Sequence, residues 1–227
     1  LKEYSSFLDA IKKGNADAVS EIIKNGKINT NMPLTFMVES GKNDSSHLEF
    51  TTSFLLEAIS AKQDKIARIL VENGADINSA NSKGVTPLMF CIMKFDSDSS
   101  LLEYLISKGA DLNGKDASGD TALTGAISLK RFASAKILVE KGANVNTRNF
   151  RGFTPLMLAV FSNDPGTVKL LLDKGADITV KHKEGWSLLN INHDKRNPEI
   201  RKMLEPYIEK NKAKPVKYDY GGGVKNF

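Results

Sequence analysis

The stretch "GFTPLMLAVFSNDPGTVKLLLDKGAD" at residues 152–177 decides the fold, because it carries the start and end signals of two short helices. Thr154 is a good N-cap, since its hydroxyl accepts a hydrogen bond from a free backbone N–H. Pro155 then falls at the first helical position, where its missing donor costs nothing. The polar break "SNDPG" at 162–166 follows. The pattern predicts one short helix between Thr154 and this break.

A second helix follows, and a glycine marks its end. Val168, Leu171 and Leu172 form its apolar face at helical spacing. Gly175 comes next as a left-handed C-cap, a conformation in which a residue with a Cβ costs roughly 1 kcal/mol or more. Such a pair of helices cannot bury its apolar sides alone, so copies of the unit must cover one another.

The same unit recurs along the chain. The C-terminal end of the second helix is repeated as "LVENGADIN" (70–78), "LISKGADLN" (105–113) and "LVEKGANVN" (138–146). A degenerate copy, "IIKNGKIN", lies at 22–29. The glycines of this phrase are spaced by 48, 35, 33 and 33 residues, and a second series from Gly84 to Gly185 is spaced by 35, 33 and 33. A fixed period in this range indicates a stacked array.

A Thr- or Ser-led phrase begins two residues past each glycine of the second series. These phrases are "TPLMFC" (86–91), "TALTGA" (121–126), "TPLMLA" (154–159) and "SLLNIN" (187–192). Together with the glycine period they resemble the ankyrin repeat, whose unit of about 33 residues has a T-P-L-H-x-A signature. The resemblance implies an all-α solenoid of helix-turn-helix repeats, with β-hairpin turns called fingers between them. The family's histidine is absent from every unit, which leaves the source of its usual hydrogen bonds between repeats open.

The resemblance covers roughly residues 1–210 and predicts about six repeats. Their predicted bounds are 1–30, 48–80, 81–115, 116–148, 149–181 and 182–210. The two outermost repeats are expected to be caps, and a second helix is expected to begin at Pro198. Residues 211–227 show no periodicity and are predicted to be a flexible basic tail, or a segment that folds only against a partner.

The 48-residue glycine spacing contains an insertion at 31–47. Within it, Leu34, Phe36 and Val38 alternate with other residues. After the turn signal "GKND" at 41–44, Leu48 and Phe50 could face them from a returning strand. This pattern favours an extended β-hairpin. A short helix from Pro33 followed by a loop is the alternative. A hairpin here would either present its apolar residues to a partner or fold back over the first repeat.

Charge and hydropathy exclude several function classes. The formal net charge is +5, and most of it lies in residues 210–227, where five lysines oppose one aspartate. The rest of the chain is nearly neutral, which argues against a nucleic-acid groove because phosphate binding needs clustered cations. No apolar run approaches the roughly 18 residues of a membrane span. The lysine-rich tail suggests one functional hypothesis, the binding of a polyanion or a membrane surface.

The sequence contains none of the residue patterns that are typical of enzyme active sites or metal sites. The three histidines, His47, His182 and His193, lie at no zinc spacing, and the single Cys91 occupies the small-residue slot between helices. We expect Cys91 to be a buried, inert thiol. The acidic loop around Asp96 and Asp98 lacks a calcium-binding ligand set. We therefore predict no catalytic residues, no cofactor, no metal and no enzyme activity.

Family resemblance implies that partners contact the fingers and the exposed side of the first helices. Carried over position by position, it gives these candidate partner-binding residues: Phe150, Arg151, Phe153, Phe161, Arg148, Lys183, Trp186, Lys83 and Met93. Aromatic residues and arginine dominate binding hot spots. The alternative is that Phe153 and Trp186 only cover neighbouring fingers. The repeat at 116–148 offers small and polar residues at these positions, such as Ser118 and Ser128.

The predicted function is that of a non-enzymatic interaction module, a scaffold or an inhibitor, that binds a protein partner. The alternative is a recognition domain cut from a larger enzyme or effector. A monomer is expected, without nucleic acid. Because the sequence begins at Leu1 rather than Met, a removed secretion signal stays open. A cytoplasmic location is favoured, and a periplasmic or secreted one is the alternative.

Overall fold

The structure, a computed structural model, describes residues 2–26, 28–39, 47–95, 99–185, 187–188 and 197–211. Within them the chain forms helices and one two-stranded sheet. The helices are α1 (Lys2–Lys12), α2 (Ala16–Lys24), α3 (Phe54–Ser60), α4 (Asp64–Glu72), α5 (Pro87–Lys94), α6 (Ser100–Ser107), α7 (Ala122–Ser128), α8 (Phe132–Glu140), α9 (Pro155–Phe161), α10 (Pro165–Asp173) and α11 (Pro198–Asn211). The strands are β1 (Leu34–Glu39) and β2 (His47–Thr52).

Side-chain caps begin the first helix of successive pairs, as predicted. The Thr154 hydroxyl accepts a hydrogen bond from Met157 N at 3.3 Å, and Pro155 occupies the first turn of α9. Thr86 caps α5 in the same way through Met89 N, also at 3.3 Å. Ser53 replaces threonine at α3 and accepts from Leu56 N at 3.2 Å. Loss of one such cap costs about 1 kcal/mol.

Left-handed glycines end the second helices, which confirms the predicted C-caps. Gly142 and Gly175, which follow α8 and α10, have φ values of +96° and +79°. A Cβ at either position would meet nothing within 4 Å, so the backbone conformation alone requires glycine there. The left-handed region costs other residues roughly 1–2 kcal/mol.

The helices pack as a linear stack of pairs. Each first helix contacts the next in the order α1, α3, α5, α7, α9, while α2 contacts α4, α8 contacts α10, and α10 contacts α11. One apolar core runs through the stack from Phe7 to Leu204. Cys91 lies in this core with 1% of its surface exposed, as predicted for a buried thiol. The predicted all-α solenoid of stacked helix pairs is confirmed, whereas the six repeat bounds stay a prediction.

This chain lacks the family histidine, and asparagine side chains connect its successive helix pairs. The Asn113 carboxamide oxygen accepts from Asn144 N at 2.9 Å, and the Asn146 oxygen accepts from Asp177 N at 2.7 Å. The amide group of Asn146 also donates to the carbonyl of Gly175 at 3.1 Å. The turns that follow the second helices therefore supply one set of hydrogen bonds between repeats.

The fingers are tight turns that stack on one another through their backbones. In three of them one side chain, Asn81, Asp116 or Asn149, accepts two backbone N–H groups. Asn149, for example, accepts from Arg151 N at 3.1 Å and Phe153 N at 2.9 Å. Neighbouring fingers are joined where Phe150 N donates to the carbonyl of Ser118 at 2.9 Å. The approach is so close that a Cβ on Gly152 would lie 2.7 Å from Lys183 N. The fingers thus hold their exposed side chains on a shared backbone platform.

The insertion forms the predicted β-hairpin, and the alternative short helix from Pro33 is wrong. β1 and β2 pair antiparallel with Phe36 opposite Phe50 and Val38 opposite Leu48. Thr51, near the end of β2, accepts a hydrogen bond from Ser82 N at 2.9 Å, so the hairpin base takes the place of a finger beside the next unit. The predicted turn at 41–44 lies outside the described residues. Whether the hairpin contacts a partner or covers the first repeat stays a prediction.

At the C-terminal end, α11 begins at Pro198 as predicted. Asn197 caps it, since its side-chain oxygen accepts from Ile200 N at 3.2 Å. The predicted tail lies outside the described residues from 212 onward, and so does the loop that contains Asp96 and Asp98. Among the described helices, none combines the length and the apolar character that crossing a bilayer requires.

Candidate interaction surface

Fingers and first helices together form one side of the stack, which we call the finger face. It comprises the fingers at 81–86, 116–121 and 149–154 and the exposed side of α5, α7 and α9. Its parts are adjacent because finger residues such as Val85 and Arg151 line the same groove as residues of α5 and α7. Six of the nine sequence-predicted partner-binding residues belong to the finger face: Lys83, Met93, Phe150, Arg151, Phe153 and Phe161. Arg148 directly precedes its third finger, and Lys183 lies in the following finger.

An aromatic cluster occupies the C-terminal end of this face. The rings of Phe153 and Phe161 meet edge to face, with centroids 5.9 Å apart and an interplanar angle of 81°. On its other side Phe153 contacts the His182 ring at 4.7 Å between centroids. Phe153 is half-buried by these neighbours, whereas Phe161 keeps 45% of its surface exposed. Phe153 thus packs against both neighbouring rings, while its role as a partner contact stays a prediction.

Phe150 lies on the opposite side of the same finger. Its ring rests on the preceding finger, because a Cβ on Gly119 would lie 2.9 Å from its Cδ1 atom. Despite this contact, 58% of its surface is exposed, the largest fraction among the described large apolar side chains. Phe150 and Phe161 thus present apolar surface to solvent from two places on one finger–helix unit.

The finger tips carry exposed cations beside the aromatic residues. These are Lys83, Lys115, Arg148, Arg151, Lys181 and Lys183. The Lys115 ammonium donates to the carbonyl of Arg148 at 3.1 Å, which links two fingers. Arg151 approaches Asp120 at 3.8 Å with 68% of its own side chain exposed, an arrangement that contributes little to stability. The guanidinium of Arg151 also lies 5.7 Å from the Phe153 ring centroid.

Trp186, a further predicted contact residue, lies outside the described residues. Met93 is half exposed, at 50% of its surface, near the end of α5. It is not isolated, because Leu129 at the end of α7 is 46% exposed and lines the same groove. The sequence analysis missed Leu129, although the exposed apolar residues at the ends of α5, α7 and α9 form a series. This series makes the first-helix side more apolar than expected.

The sequence analysis also missed the structural role of His182, which is the hydrogen-bond acceptor of its finger. The Nδ1 atom of His182 accepts from Glu184 N at 3.3 Å, as Asn149 accepts within the preceding finger. Burial lowers the pKa of His182, and the positive charges of Arg148 and Lys183 lower it further, while Glu184 opposes them. The ring therefore stays neutral at pH 7 and keeps its acceptor. The 33-residue period from Asn149 is the signal that identifies this role.

The side chains of the finger face are of the kinds that make contacts with other molecules. Its carboxylates are engaged in finger turns: Asp116 accepts from Ser118 N at 2.8 Å and Asp120 N at 2.9 Å. In the part of the chain that the structure describes, no three His, Cys, Asp or Glu side chains form a metal-binding group. What the face offers is an elongated, open surface of apolar side chains and cations.

Comparison with known families assigns this architecture. A family model described as ankyrin repeats (3 copies) matches overlapping segments at residues 7–116, 55–149 and 94–182. The chain belongs to the ankyrin repeat family. Curated protein sequences give no significant match. Ankyrin repeats are in general protein–protein interaction modules, and the family is typically non-enzymatic. The family thus supports a protein partner for this chain.

Proposed function

We propose that this ankyrin repeat protein is a non-catalytic recognition module, a scaffold or an inhibitor, that binds a protein partner through the finger face. The observation that carries the proposal is the exposure of Phe150 and Phe161, at 58% and 45%, within one finger–helix unit beside Arg148 and Arg151. Large apolar side chains flanked by arginine are the composition of binding hot spots.

The two aromatic residues and the cations contribute differently to binding. Burial of a phenylalanine ring contributes roughly 1.5–3 kcal/mol, so Phe150 and Phe161 supply affinity. The exposed cations at the finger tips steer an acidic partner and select against a basic one, which acts mainly on the association rate. The half-buried Phe153 supports Phe161 and contributes little surface of its own, while a contact role for Trp186 stays a prediction.

The double variant Phe150→Ala with Phe161→Ala tests this proposal. The immobilised wild-type protein is used to capture proteins from a cell extract, and the captured set is compared with that of the variant by quantitative mass spectrometry. Tyr207→Ala on α11 is the matched control, because it removes an exposed aromatic side chain from a helix that is not part of the finger face. We expect the control to retain the partner and the double variant to lose it, with nearly unchanged thermal unfolding.

Two results would contradict the proposal. Retention of every captured protein by the double variant would place the contact elsewhere, and a large loss of stability would assign both phenylalanines to packing. The same surface would also serve as the recognition domain of a larger enzyme or effector. The length of the natural open reading frame distinguishes these two settings, and light scattering tests the expected monomer.

A further inference from the structure

Gly125 is a glycine that neither the backbone nor the packing requires. It lies in the middle of α7, where glycine costs roughly 0.5–1 kcal/mol relative to alanine. Unlike the finger and C-cap glycines, it is absent from the residues with positive φ. A Cβ placed on Gly125 would meet nothing within 4 Å. The space above this helix position is therefore open to solvent.

Equivalent positions in the neighbouring first helices are filled by large apolar residues. Four residues beyond the N-cap threonine, α5 carries Phe90 and α9 carries Leu158, where α7 has Gly125. Seven residues beyond it, α5 carries Met93 and α9 carries Phe161, where α7 has Ser128. At both positions α7 thus carries a small residue between two bulky neighbours, which produces a hollow on the finger face.

The hollow between α5 and α7 has apolar walls. Its volume is about 180 Å³, similar to the engineered cavity of about 150 Å³ that holds a benzene molecule. Its apolar lining on the two helices includes Met89, Ile92, Met93, Ala122, Gly125 and Leu129. The rim residues Met93 and Leu129 are each about half exposed, at 50% and 46%. One bulky apolar side chain of a partner would fit this space.

The accessible charge at the edge of the hollow is positive. Asp116 and Asp120 also line the hollow, but both carboxylates are engaged. Asp116 accepts from Ser118 N and Asp120 N within its finger, and Asp120 accepts from the Asn149 amide of the next finger at 2.8 Å. Arg151, which also lines the hollow, remains 68% exposed and approaches Asp120 at 3.8 Å. Lys83 in the finger at 81–86 and Lys130 after α7 are exposed as well. A partner that fits the hollow is therefore expected to place a carboxylate near Arg151.

We propose that the hollow receives a single bulky apolar side chain, Leu, Met or Phe, from an acidic segment of the partner protein, and that a neighbouring Asp or Glu pairs with Arg151. This inference rests on the proposed function and names the chemistry of its partner. The chain's own residues 212–227 are a poor occupant, because four lysines oppose one aspartate there. A basic segment would be repelled by the finger cations.

The test is a selection of linear peptides from a random display library on the full chain, followed by affinity measurements on the synthesised peptides. Selected peptides should share a bulky apolar residue with a carboxylate within a few positions. Gly125→Leu fills the hollow and should weaken binding about tenfold or more, which corresponds to about 1.4 kcal/mol. Ala133→Leu is the matched control, since it adds a leucine to the exposed side of α8 in the same helix pair. It should bind as the wild type does.

Two further measurements make the outcome specific. Alanine in place of the peptide's bulky residue should weaken binding to the wild type but cause little further loss on Gly125→Leu, because both changes remove the same contact. Ser128→Leu, which fills the hollow from the next turn of α7, should reproduce the loss if Gly125→Leu unfolds. Arg151→Glu should weaken binding several-fold and reduce its salt dependence.

The proposal is overturned if the selected peptides lack a bulky apolar residue, are basic, or bind Gly125→Leu as tightly as the wild type. A peptide that binds the double variant Phe150→Ala with Phe161→Ala more weakly than the wild type, but binds Gly125→Leu equally well, would support the finger face as the binding surface and refute the hollow. Peptides indifferent to both would contradict the proposed function as well. Self-association abolished by Gly125→Leu would assign the hollow to a second copy. Tighter peptide binding after deletion of 212–227 would assign it to the chain's own tail.

Discussion

The turns after the second helices and the finger face of the same units follow opposite rules. At the turns three successive units repeat the same solution, a left-handed glycine followed four residues later by Asn78, Asn113 or Asn146, which reaches the next unit. On the finger face the equivalent helix positions change completely, from Phe90 to Gly125 to Leu158. The difference teaches that repeated positions maintain the stack, while the positions free to vary define what it contacts.

The largest expected contrast is between two phenylalanines. Phe54 is fully buried and its ring lies 4.9 Å from that of Phe7, so Phe54→Ala should reduce the free energy of unfolding by about 3–5 kcal/mol. Phe150→Ala, on the exposed finger, should change it by no more than about 1 kcal/mol. Urea unfolding followed by circular dichroism measures both. Similar losses for the two variants would erase the distinction between core and finger face.

A pair of glycine variants should give changes of opposite sign. Gly142→Ala forces alanine into a left-handed conformation at φ +96° and should destabilise the fold by about 1–2 kcal/mol. Gly125→Ala adds a methyl group to open space in a helix and should stabilise it by about 0.5–1 kcal/mol. Thermal unfolding of both variants decides the point. Destabilisation by Gly125→Ala would mean that the fold itself needs this glycine.

Asn146→Ala should show that the asparagine turns, not the exposed lysines beside them, connect the units. The change removes the bonds to Asp177 N and to the Gly175 carbonyl, and the expected loss is about 1 kcal/mol in the free energy of unfolding. Lys141→Ala on the same turn is the control and should be nearly neutral. Equal stability of the two variants would refute the structural role of this asparagine.

The smallest expected effect is a pH dependence from His182. Because burial and the neighbouring cations lower its pKa below 6.5 in the folded state, the unfolded chain binds a proton more readily. Stability from this group is therefore complete above about pH 6.5 and decreases as the pH falls through that value. His182→Asn keeps a finger acceptor and should remove this part of the pH dependence. Identical pH profiles of unfolding for wild type and variant would contradict the assignment.

Signals within one unit made the fold predictable from the sequence. Thr154, Pro155 and Gly175 act on their own helices, and the alternation around Phe36 and Phe50 is local to the hairpin, so each feature is predictable from a short stretch of sequence. The resemblance to ankyrin repeats implied the solenoid and its fingers.

The missed features depend on neighbours in adjacent units. Leu129 and Gly125 gain meaning only when α5 lies beside α7, and small residues that look unremarkable in the sequence then form a hollow. Asn113 reaches Asn144 across a separation of 31 residues, a contact that the repeat period suggests but that no single unit shows. Side-chain position between units, rather than residue type, decides the surface.

Hydrogen–deuterium exchange of the protein with and without the captured partner tests the central claim most directly, because it reads both regions in one experiment. The account predicts slowed exchange in the fingers at 81–86, 116–121 and 149–154 and in the first helices beside them. The turns after α4, α6, α8 and α10 should exchange as in the free protein. Protection confined to those turns, with unchanged fingers, would contradict it.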